Sequence, residues 1–470
     1  MPGQLALFIC VLGILWLFSR DQKLRPMTSW SLWIPLLWIT IIGTKPVSTW
    51  LGSRWELEMP DGYLEGSPLD RNILLIFFVL GLIVLLKRGV NWRESFASNR
   101  WLFVFFIYCG ISVLWSDYPF VGLKRWIKDF GNLLMVMIIL TERDPILAVR
   151  AVFARYTYIA IPLSVVFIKY FPDIGRYYNK WTWEPGYCGI TLEKNTLGAI
   201  AFICGLFLVW DLIDMRSTGA RKTDQASRIV LLLMVLYLTI LSDSSTSLVC
   251  LILGASILFL IRFPLVKRQV RYLGTYSAVF ALCILLLYSV PGILEAIVDM
   301  VGRNVTFTGR TDLWADLLRE PINPVLGTGY QSFWLGERIE HMWALYSFRP
   351  NQAHNGFLEI YLNGGYIGVC LIAAMIVSTG RTLKPELLLG NNYGVLRFIF
   401  LVVVLFSNWT EATFNKQTLV WIIMILAAMN YPRLPRSMPR NVEKSLNSGF
   451  KQYQFGRQRS IMPPAIHKSN

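Results

Sequence analysis

Long apolar stretches and short polar ones alternate along nearly the whole chain. The apolar stretches approach the length of about 20 residues that an α-helix needs to cross a bilayer. Charged residues, Trp, Tyr or Pro stand at their ends. The pattern predicts thirteen spans, at 4–19, 30–44, 70–86, 101–115, 126–141, 151–170, 196–213, 229–241, 245–261, 273–290, 356–378, 394–408 and 417–431. We therefore expect an all-α polytopic membrane protein with about 12–13 transmembrane helices.

The first apolar segment, "LALFICVLGILWLFS", is short and follows the uncharged stretch "MPGQ". A secretory signal would carry positive charge before its apolar run, whereas here the positive residues follow it, in "SRDQKLR". We expect an uncleaved span with the N-terminus outside. The total falls to twelve spans if this segment lies in the membrane interface instead.

Composition and charge support a membrane protein. The chain of 470 residues is 54% hydrophobic, its mean hydropathy is +0.48 and its net charge is +16. With the N-terminus outside, the inner segments carry 28 of the 45 Lys and Arg residues; these segments are 20–29, 87–100, 142–150, 214–228, 262–272, 379–397 and 432–470. This is the positive-inside pattern. The positive charge therefore indicates the orientation of the chain in the membrane, and nucleic acid is not expected as a partner.

Two outer loops and one tail interrupt the rhythm of the predicted helical domain, 1–431. The outer loops are 171–195, which is rich in aromatic residues, and 291–355, the longest. The tail, 432–470, is basic and poor in aliphatic residues. We expect it to be disordered in the cytoplasm and to touch anionic membrane lipid.

The longest outer loop contains the stretch "GRTDLWADLLREP", which predicts a short amphipathic helix that ends at Pro321. Its apolar face would comprise Leu313, Trp314, Leu317 and Leu318. The following "NPVLGTGYQSFW" predicts turns and loop. The sequence has no P-loop, zinc-ligand spacing or G-x-S-x-G motif, so we expect no soluble catalytic domain.

The outer segments offer cations without an accompanying acidic pair of the D-x-D kind. The candidates are Lys124, Arg125, Lys128, Arg176, Lys180, Lys194, Arg303 and Arg310. Such a set suits an anionic ligand bound directly by Lys and Arg, for example a lipid phosphate or pyrophosphate, without a metal. For any single cation the commoner explanation is a side chain that reaches the lipid headgroups.

His354 is one of three histidines and lies just before an apolar span, in "RPNQAHNGFLEIYLNGG". A neutral imidazole is a competent base near neutral pH. Asn355, Glu359 and Asn363 are spaced by four and share a helix face. Glu359, a charge inside an apolar helix, would orient His354 or satisfy a backbone group or an arginine. From these residues alone, His354 is equally well explained as a polar residue that bonds a carbonyl.

Four stretches resemble the O-antigen ligase and polysaccharide polymerase superfamily, and look most similar to its exopolysaccharide-production branch. "AHNGFLEIYLNGGYIGV" resembles the family's histidine–asparagine motif. "FTGRTDLWADLLREPINPVLGTGYQSF" resembles its Gly-Arg block in the large outer loop. "GITLEKNTLGAIA" and "LSDSSTSLVCLIL" resemble blocks at the start of two helices. The resemblance covers about residues 100 to 430.

The resemblance implies a multi-helix fold similar to the type C glycosyltransferases, in the bacterial inner membrane with its active face outside. The donor would be a glycan on undecaprenyl pyrophosphate, and the acceptor a sugar hydroxyl on a lipid-linked repeat or on lipid A–core. No metal or other cofactor is implied. The family's motif histidine matches His354 and its loop arginine matches Arg310, which would both be catalytic. Chain-length regulators and export proteins are the further partners that this role suggests.

Six other residues are the candidates for binding substrate: Lys194, Asn195, Arg176, Asn355, Glu359 and Ser245. Many ligases carry an arginine in the block where this chain has Ser245. This departure favours a polymerase over a ligase.

Two alternatives from other classes stay open. A transporter or flippase of the lipid-linked glycan would show paired repeats with discontinuous helices, and none is visible in the sequence. A structural subunit of an assembly complex would tolerate the loss of His354 and Arg310.

Overall fold

The computed structural model describes residues 1–25, 28–52, 67–178, 185–217, 221–276 and 310–430. Helices dominate this part of the chain. They are α1 (Gly3–Leu24), α2 (Trp33–Ile42), α3 (Val47–Trp50), α4 (Pro68–Lys87), α5 (Trp92–Ser98), α6 (Arg100–Ile111), α7 (Pro119–Leu140), α8 (Pro145–Tyr170), α9 (Pro172–Gly175), α10 (Lys194–Ser217), α11 (Lys222–Leu241), α12 (Ser245–Leu260), α13 (Pro264–Gln269), α14 (Arg310–Arg319), α15 (Glu337–Leu345), α16 (Gly356–Leu389), α17 (Asn392–Thr410) and α18 (Leu419–Ala428). Short 3-10 turns are Trp30–Leu32, Ser112–Trp115 and Val270–Tyr272.

Within the described ranges, seven helices are long and apolar enough to cross a membrane: α1, α4, α8, α10, α11, α16 and α17. The number reaches nine if two bent pairs, α5 with α6 and α12 with α13, each form one span; each pair is bent by 98°. The chain is thus a multi-pass, helical membrane protein, as the apolar pattern predicted.

The remaining predicted spans have different outcomes. Those at 30–44 and 417–431 are the shorter apolar helices α2 and α18. The span at 126–141 is the C-terminal part of α7. The predicted span 273–290 lies almost wholly outside the described residues, as do the tail 432–470 and the loop positions Lys180 and Arg303.

The helices enclose one large hydrophobic core, and α18 lies in its middle. All ten residues of α18 are buried, and it contacts α7, α10, α16 and α17. A helix that is apolar on every side must be covered on every side. By contrast α4 exposes Leu75, Ile76 and Val79, which is expected of a helix that faces lipid hydrocarbon.

The long outer loop forms a second, smaller hydrophobic cluster on the top of α16. Leu313 and Leu317 of α14 and Met342 of α15 are buried there together with Phe333. The predicted helix "GRTDLWADLLRE" is therefore confirmed. Its apolar face is narrower than predicted, because Leu318 is 60% exposed.

The outer loop 171–195 departs from the all-α prediction. Two short antiparallel strands, β1 (Arg176–Tyr178) and β2 (Pro185–Tyr187), pair within it, with Arg176 opposite Tyr187. The hairpin follows α9 and packs beside it. It adds no core of its own.

Helix α16 is interrupted at Gly365, which has φ 58° and ψ −162°. The loop segment that precedes α15 fills the break. Thr328 and Gly329 donate backbone N–H bonds to the carbonyls of Leu362 and Asn363, at 3.0 and 2.9 Å. A Cβ on Gly327, itself at φ 70°, would lie 2.5 Å from the carbonyl carbon of Asn363. The glycines of "GTG" and "NGG" thus allow two backbones to pair directly.

Candidate functional site

Glu411, which caps the C-terminus of α17, joins three distant parts of the chain. One carboxylate oxygen lies 3.3 Å from Nδ1 of His354. The other accepts a hydrogen bond from Asn195 at 3.1 Å and lies 3.7 Å from the guanidinium of Arg310. Arg310 also donates to the Thr410 carbonyl at 2.6 Å. We call His354, Arg310, Asn195 and Glu411 the Glu411 cluster.

The backbone at His354 is held in an uncommon conformation. His354 has φ 48°, in the left-handed region that non-glycine residues rarely occupy. Hydrogen bonds hold both backbone polar groups of the preceding residue, Ala353. The N–H of Ala353 donates to Glu359 at 2.9 Å, and its carbonyl accepts from the indole of Trp314 at 2.7 Å. Strain that the surroundings maintain in this way is typical of functional sites.

Gly356 and Asn408 connect the histidine to the Glu411 loop. A Cβ on Gly356 would lie 2.1 Å from the side-chain oxygen of Asn408. That oxygen accepts backbone bonds from Thr413 and Phe414, at 2.9 and 3.1 Å. Asn408 thereby shapes the turn that carries Glu411. The glycine after "HN" is required because the start of α16 touches this turn.

A cavity of about 440 Å³ opens beside the Glu411 cluster, and we call it the Glu411 cleft. Polar residues from several segments of the chain line it, including Glu193, Asn195, Ser247, Glu411 and Lys416. Apolar residues of α2, α4 and α10 line its other side. A cleft with one polar and one apolar wall suits a ligand that is both charged and lipid-like.

Glu193 stands at the mouth of the Glu411 cleft, with its side chain reaching solvent. The surrounding protein and the nearby charge of Glu411 raise the pKa of the Glu193 carboxyl, while His354 and Lys416 oppose this effect. With Asp70, three carboxylates thus line one cavity. Among the described residues no group of three or more His, Cys, Asp or Glu is placed to hold a metal ion.

Two of the predicted site residues, Asn355 and Glu359, form hydrogen bonds with the backbone close to His354. Asn355 is the N-cap of α16, and its side-chain oxygen accepts from the N–H groups of Phe357 and Leu358. Glu359 is buried and accepts from Ala353 and from the indole of Trp334. Of the two alternatives that the sequence left open, Glu359 satisfies a backbone group. The carboxylate beside the imidazole is Glu411.

The other three predicted residues lie further out. Lys194 forms an ion pair with Asp243 at 2.9 Å on an exposed surface. Ser245 is exposed at the start of α12, whose neighbouring Thr246 contacts Thr410 at 2.8 Å. Arg176 donates to the Ile168 carbonyl at 2.8 Å and covers the ring of Tyr187. The structure thus places Lys194 and Ser245 beside the cluster and Arg176 in the β-hairpin.

Sequence reasoning missed Glu411 and Lys416, both in the connection between α17 and α18. Lys416 donates to the side chain of Gln352 at 3.2 Å and lies 3.9 Å from Glu359. By its pattern the stretch "NWTEATFNKQT" is only a short link between two predicted spans. The available signal was its position, because a charged pair in a short outer link lies at the mouth of the helix bundle.

A larger cavity, of about 540 Å³, lies at the opposite end of the bundle between α1 and α8. Its charged residues are Arg25 and Arg155. Both guanidinium groups bind the carboxylate of Asp21. Because these charges are already neutralised, the smaller Glu411 cleft is the stronger candidate for a functional site.

Two comparisons with known proteins agree with this assignment. Residues 229–373 match a family model described as O-antigen ligase, and this region contains Arg310 and His354. The chain is also similar to the exopolysaccharide production protein ExoQ of Rhizobium meliloti (strain 1021). The two are 24% identical over 314 residues, which are 65% of this chain and 70% of that protein.

The helical fold and these similarities support a membrane-embedded enzyme of polysaccharide processing. They confirm the resemblance of the motifs to the O-antigen ligase and polysaccharide polymerase superfamily.

Proposed function

We propose that this protein is a glycosyltransferase that polymerises exopolysaccharide or O-antigen repeats on the outer face of the bacterial inner membrane. The donor is a glycan on undecaprenyl pyrophosphate and the acceptor is a sugar hydroxyl of another lipid-linked glycan. The observation that carries the proposal is the convergence of His354 and Arg310 on Glu411 at the edge of a cleft. The similarity to an exopolysaccharide production protein favours polymerisation.

In the proposed reaction the acceptor hydroxyl attacks the anomeric carbon of the donor sugar. The new glycosidic C–O bond forms as the C–O bond to pyrophosphate breaks, and the electron pair leaves with the phosphate oxygen. Nδ1–H of His354 donates to Glu411, so Nε2 is free to accept the hydroxyl proton. The imidazolium that forms is then paired with the carboxylate of Glu411.

The leaving pyrophosphate gains charge in the transition state, and fixed cations would stabilise it. Arg310 uses two of its donor directions on Thr410 and Glu411 and retains others. Lys416 lines the cleft and has three donors, of which one reaches Gln352. Neither role needs a metal ion, and we propose a metal-independent reaction.

The test is elongation of a lipid-linked repeat by the purified protein in proteoliposomes without an ion gradient. His354→Gln is expected to lower the elongation rate by ~10²–10⁴-fold, the usual contribution of a positioned base. The matched control is His341→Gln, because His341 is an exposed histidine that pairs with Glu320 outside the cleft. Normal elongation by folded His354→Gln would exclude the proposed role.

Arg310 has a matched control on its own helix. Arg310→Gln is expected to lower the rate strongly, whereas Arg319→Gln, at the exposed end of α14, is expected to leave it unchanged. A gradient-dependent translocation of the glycan, without elongation, would instead support a transporter.

The family model's description as an O-antigen ligase supports a second candidate, transfer of the finished glycan to lipid A–core. A cell lacking the protein distinguishes the two. Single lipid-linked repeats accumulate when a polymerase is lost. Complete chains on the carrier lipid accumulate when a ligase is lost.

A further inference from the structure

A third cavity, of about 170 Å³, lies between the outer ends of α4 and α7. Three cations line it: Arg71 of α4, and Lys124 and Lys128, which are one turn apart on α7. Its other walls include Trp38, Leu75 and Phe78. We call these six residues the cationic groove.

The three cations of the cationic groove form no ion pair with the described residues. None of Arg71, Lys124 and Lys128 has a carboxylate within 4.0 Å in that part of the chain. The charges of Arg125, Lys124 and Arg71 repel that of Lys128, and Asp70 partly opposes this repulsion. Asp70 itself accepts hydrogen bonds from the backbone N–H and the hydroxyl of Ser48. Cations that lie together at a membrane surface without ion-pair partners are expected to bind an anionic ligand.

The apolar side of the groove faces outward. Leu75 is 51% exposed and Phe78 is partly exposed on the lipid-facing side of α4. The indole of Trp38 closes the inner side and is itself fixed by a bond to Asn132 at 2.8 Å. A hydrocarbon chain lying on these residues would have its headgroup at the cations.

The groove is continuous with the Glu411 cleft. Lys128 and Leu74 line both cavities, one contributing charge and the other apolar surface. A ligand that entered from the bilayer between α4 and α7 would therefore meet the cleft at its apolar wall. A lateral route of this kind keeps a hydrocarbon tail in lipid while the headgroup moves into the site.

We propose that the cationic groove binds the phosphate groups of a polyprenyl pyrophosphate and admits this lipid sideways to the Glu411 cleft. The phosphates lie on Arg71, Lys124 and Lys128, and the first isoprenoid units lie along Leu75 and Phe78. This proposal rests on the proposed function, because it names the entrance for that reaction's lipid-linked substrate.

The experiment measures binding without turnover. The purified protein, in nanodiscs of phosphatidylcholine, is titrated with undecaprenyl pyrophosphate, which carries no sugar, and bound lipid is counted by native mass spectrometry. Lys124→Gln with Lys128→Gln is expected to weaken binding roughly 30-fold, at about fivefold for each lysine near a membrane anion. The double variant Lys169→Gln with Arg319→Gln removes two outer cations elsewhere and is expected to bind normally.

A second variant keeps every charge and fills the groove. Leu75→Trp is expected to weaken binding of undecaprenyl pyrophosphate and to leave phosphatidylglycerol binding unchanged. Unaltered binding by both groove variants would overturn the proposal. So would an equal loss for phosphatidylglycerol, since the cations would then serve only as a general anionic surface. His354→Gln should bind the lipid normally, which separates failure of the groove from failure of the proposed reaction.

Discussion

The two ends of the helix bundle treat charge in opposite ways. At one end, α1, α8, α10 and α11 meet in a network of arginines and aspartates centred on Asp211. Asp211 is fully buried and binds Arg150 at 2.9 Å and Arg228 at 3.3 Å. Asp21 binds both Arg25 and Arg155. In this Asp211 network every carboxylate has at least one guanidinium partner.

At the other end, several charged side chains have no ion-pair partner among the described residues. Glu411 alone serves His354, Arg310 and Asn195. The cationic groove has no carboxylate of its own among the described residues. The Asp211 network consists of paired charges, as expected of a structural element. The opposite end is where we propose that an anionic substrate binds.

Removing the central carboxylate of each end is the strongest test of this difference between the two ends. Asp211→Asn leaves the buried guanidinium of Arg228 without its carboxylate partner and is expected to cost about 3–5 kcal/mol of unfolding free energy. Glu411→Gln, at a partly open site, is expected to cost about 1 kcal/mol or less. Thermal unfolding in detergent measures both. Equal losses would mean that the two ends are not functionally distinct.

Activity should respond in the reverse order. Glu411→Gln removes the charged partner of His354 and is expected to lower kcat by about 10- to 10²-fold, the scale of one hydrogen bond to a charged group. KM for the lipid-linked donor should change little, because Glu411 positions the histidine. Elongation kinetics check this, with Asp243→Asn as a control at the exposed Lys194 pair. A rise in KM alone would show that Glu411 acts in binding.

The end of the bundle that holds the Glu411 cluster also depends on backbone contacts that have no counterpart in the Asp211 network. Gly327→Ala places a Cβ against Asn363 at a positive φ and is expected to destabilise the protein by roughly 1–3 kcal/mol. Gly380→Ala, in the same α16 but in open space, is the control and should be neutral or slightly stabilising. Unfolding curves of the two variants give the comparison. Similar values would indicate that the loop can move away from α16.

The smallest expected effect concerns Glu193. Its raised pKa means that the folded state holds the proton more tightly than the unfolded state. The stabilising contribution is therefore present below the unfolded pKa and is lost as the pH rises through the folded pKa. Glu193→Gln should raise Tm by about 1 °C at pH 7.5, with the gap closing toward pH 4. Glu340→Gln, an exposed glutamate of α15, should show no such pH dependence.

Several of these features were predictable from sequence because they follow from local patterns. The length of the apolar stretches predicted the long helices. The spacing of the apolar residues in the outer loop predicted the short helix α14. The motifs identified His354 and Arg310, which the structure brings to one carboxylate. Asn195 was predicted with them and does join the cluster.

The features that escaped prediction depend on tertiary contacts. Glu411 acquires its role only where three segments meet, and nothing in "NWTEATFNKQT" indicates that meeting. The spacing of Glu359 predicted its helix face, but its partner is the Ala353 amide because the chain folds back at His354. Leu318 has the spacing of the apolar face of α14. The helix is short, however, and the surface on which it packs is too narrow to bury this side chain.

The break at Gly365 divides α16 into two parts of different length. Helix α16 has 34 residues, about 51 Å at 1.5 Å per residue, whereas a hydrocarbon core is about 30 Å thick. The 24 residues after Gly365 span about 36 Å and suffice to cross it. The nine residues before the break are about 14 Å long and begin directly after Asn355, the neighbour of His354. The part of α16 that is long enough to cross the membrane is thus separate from the part that begins next to His354.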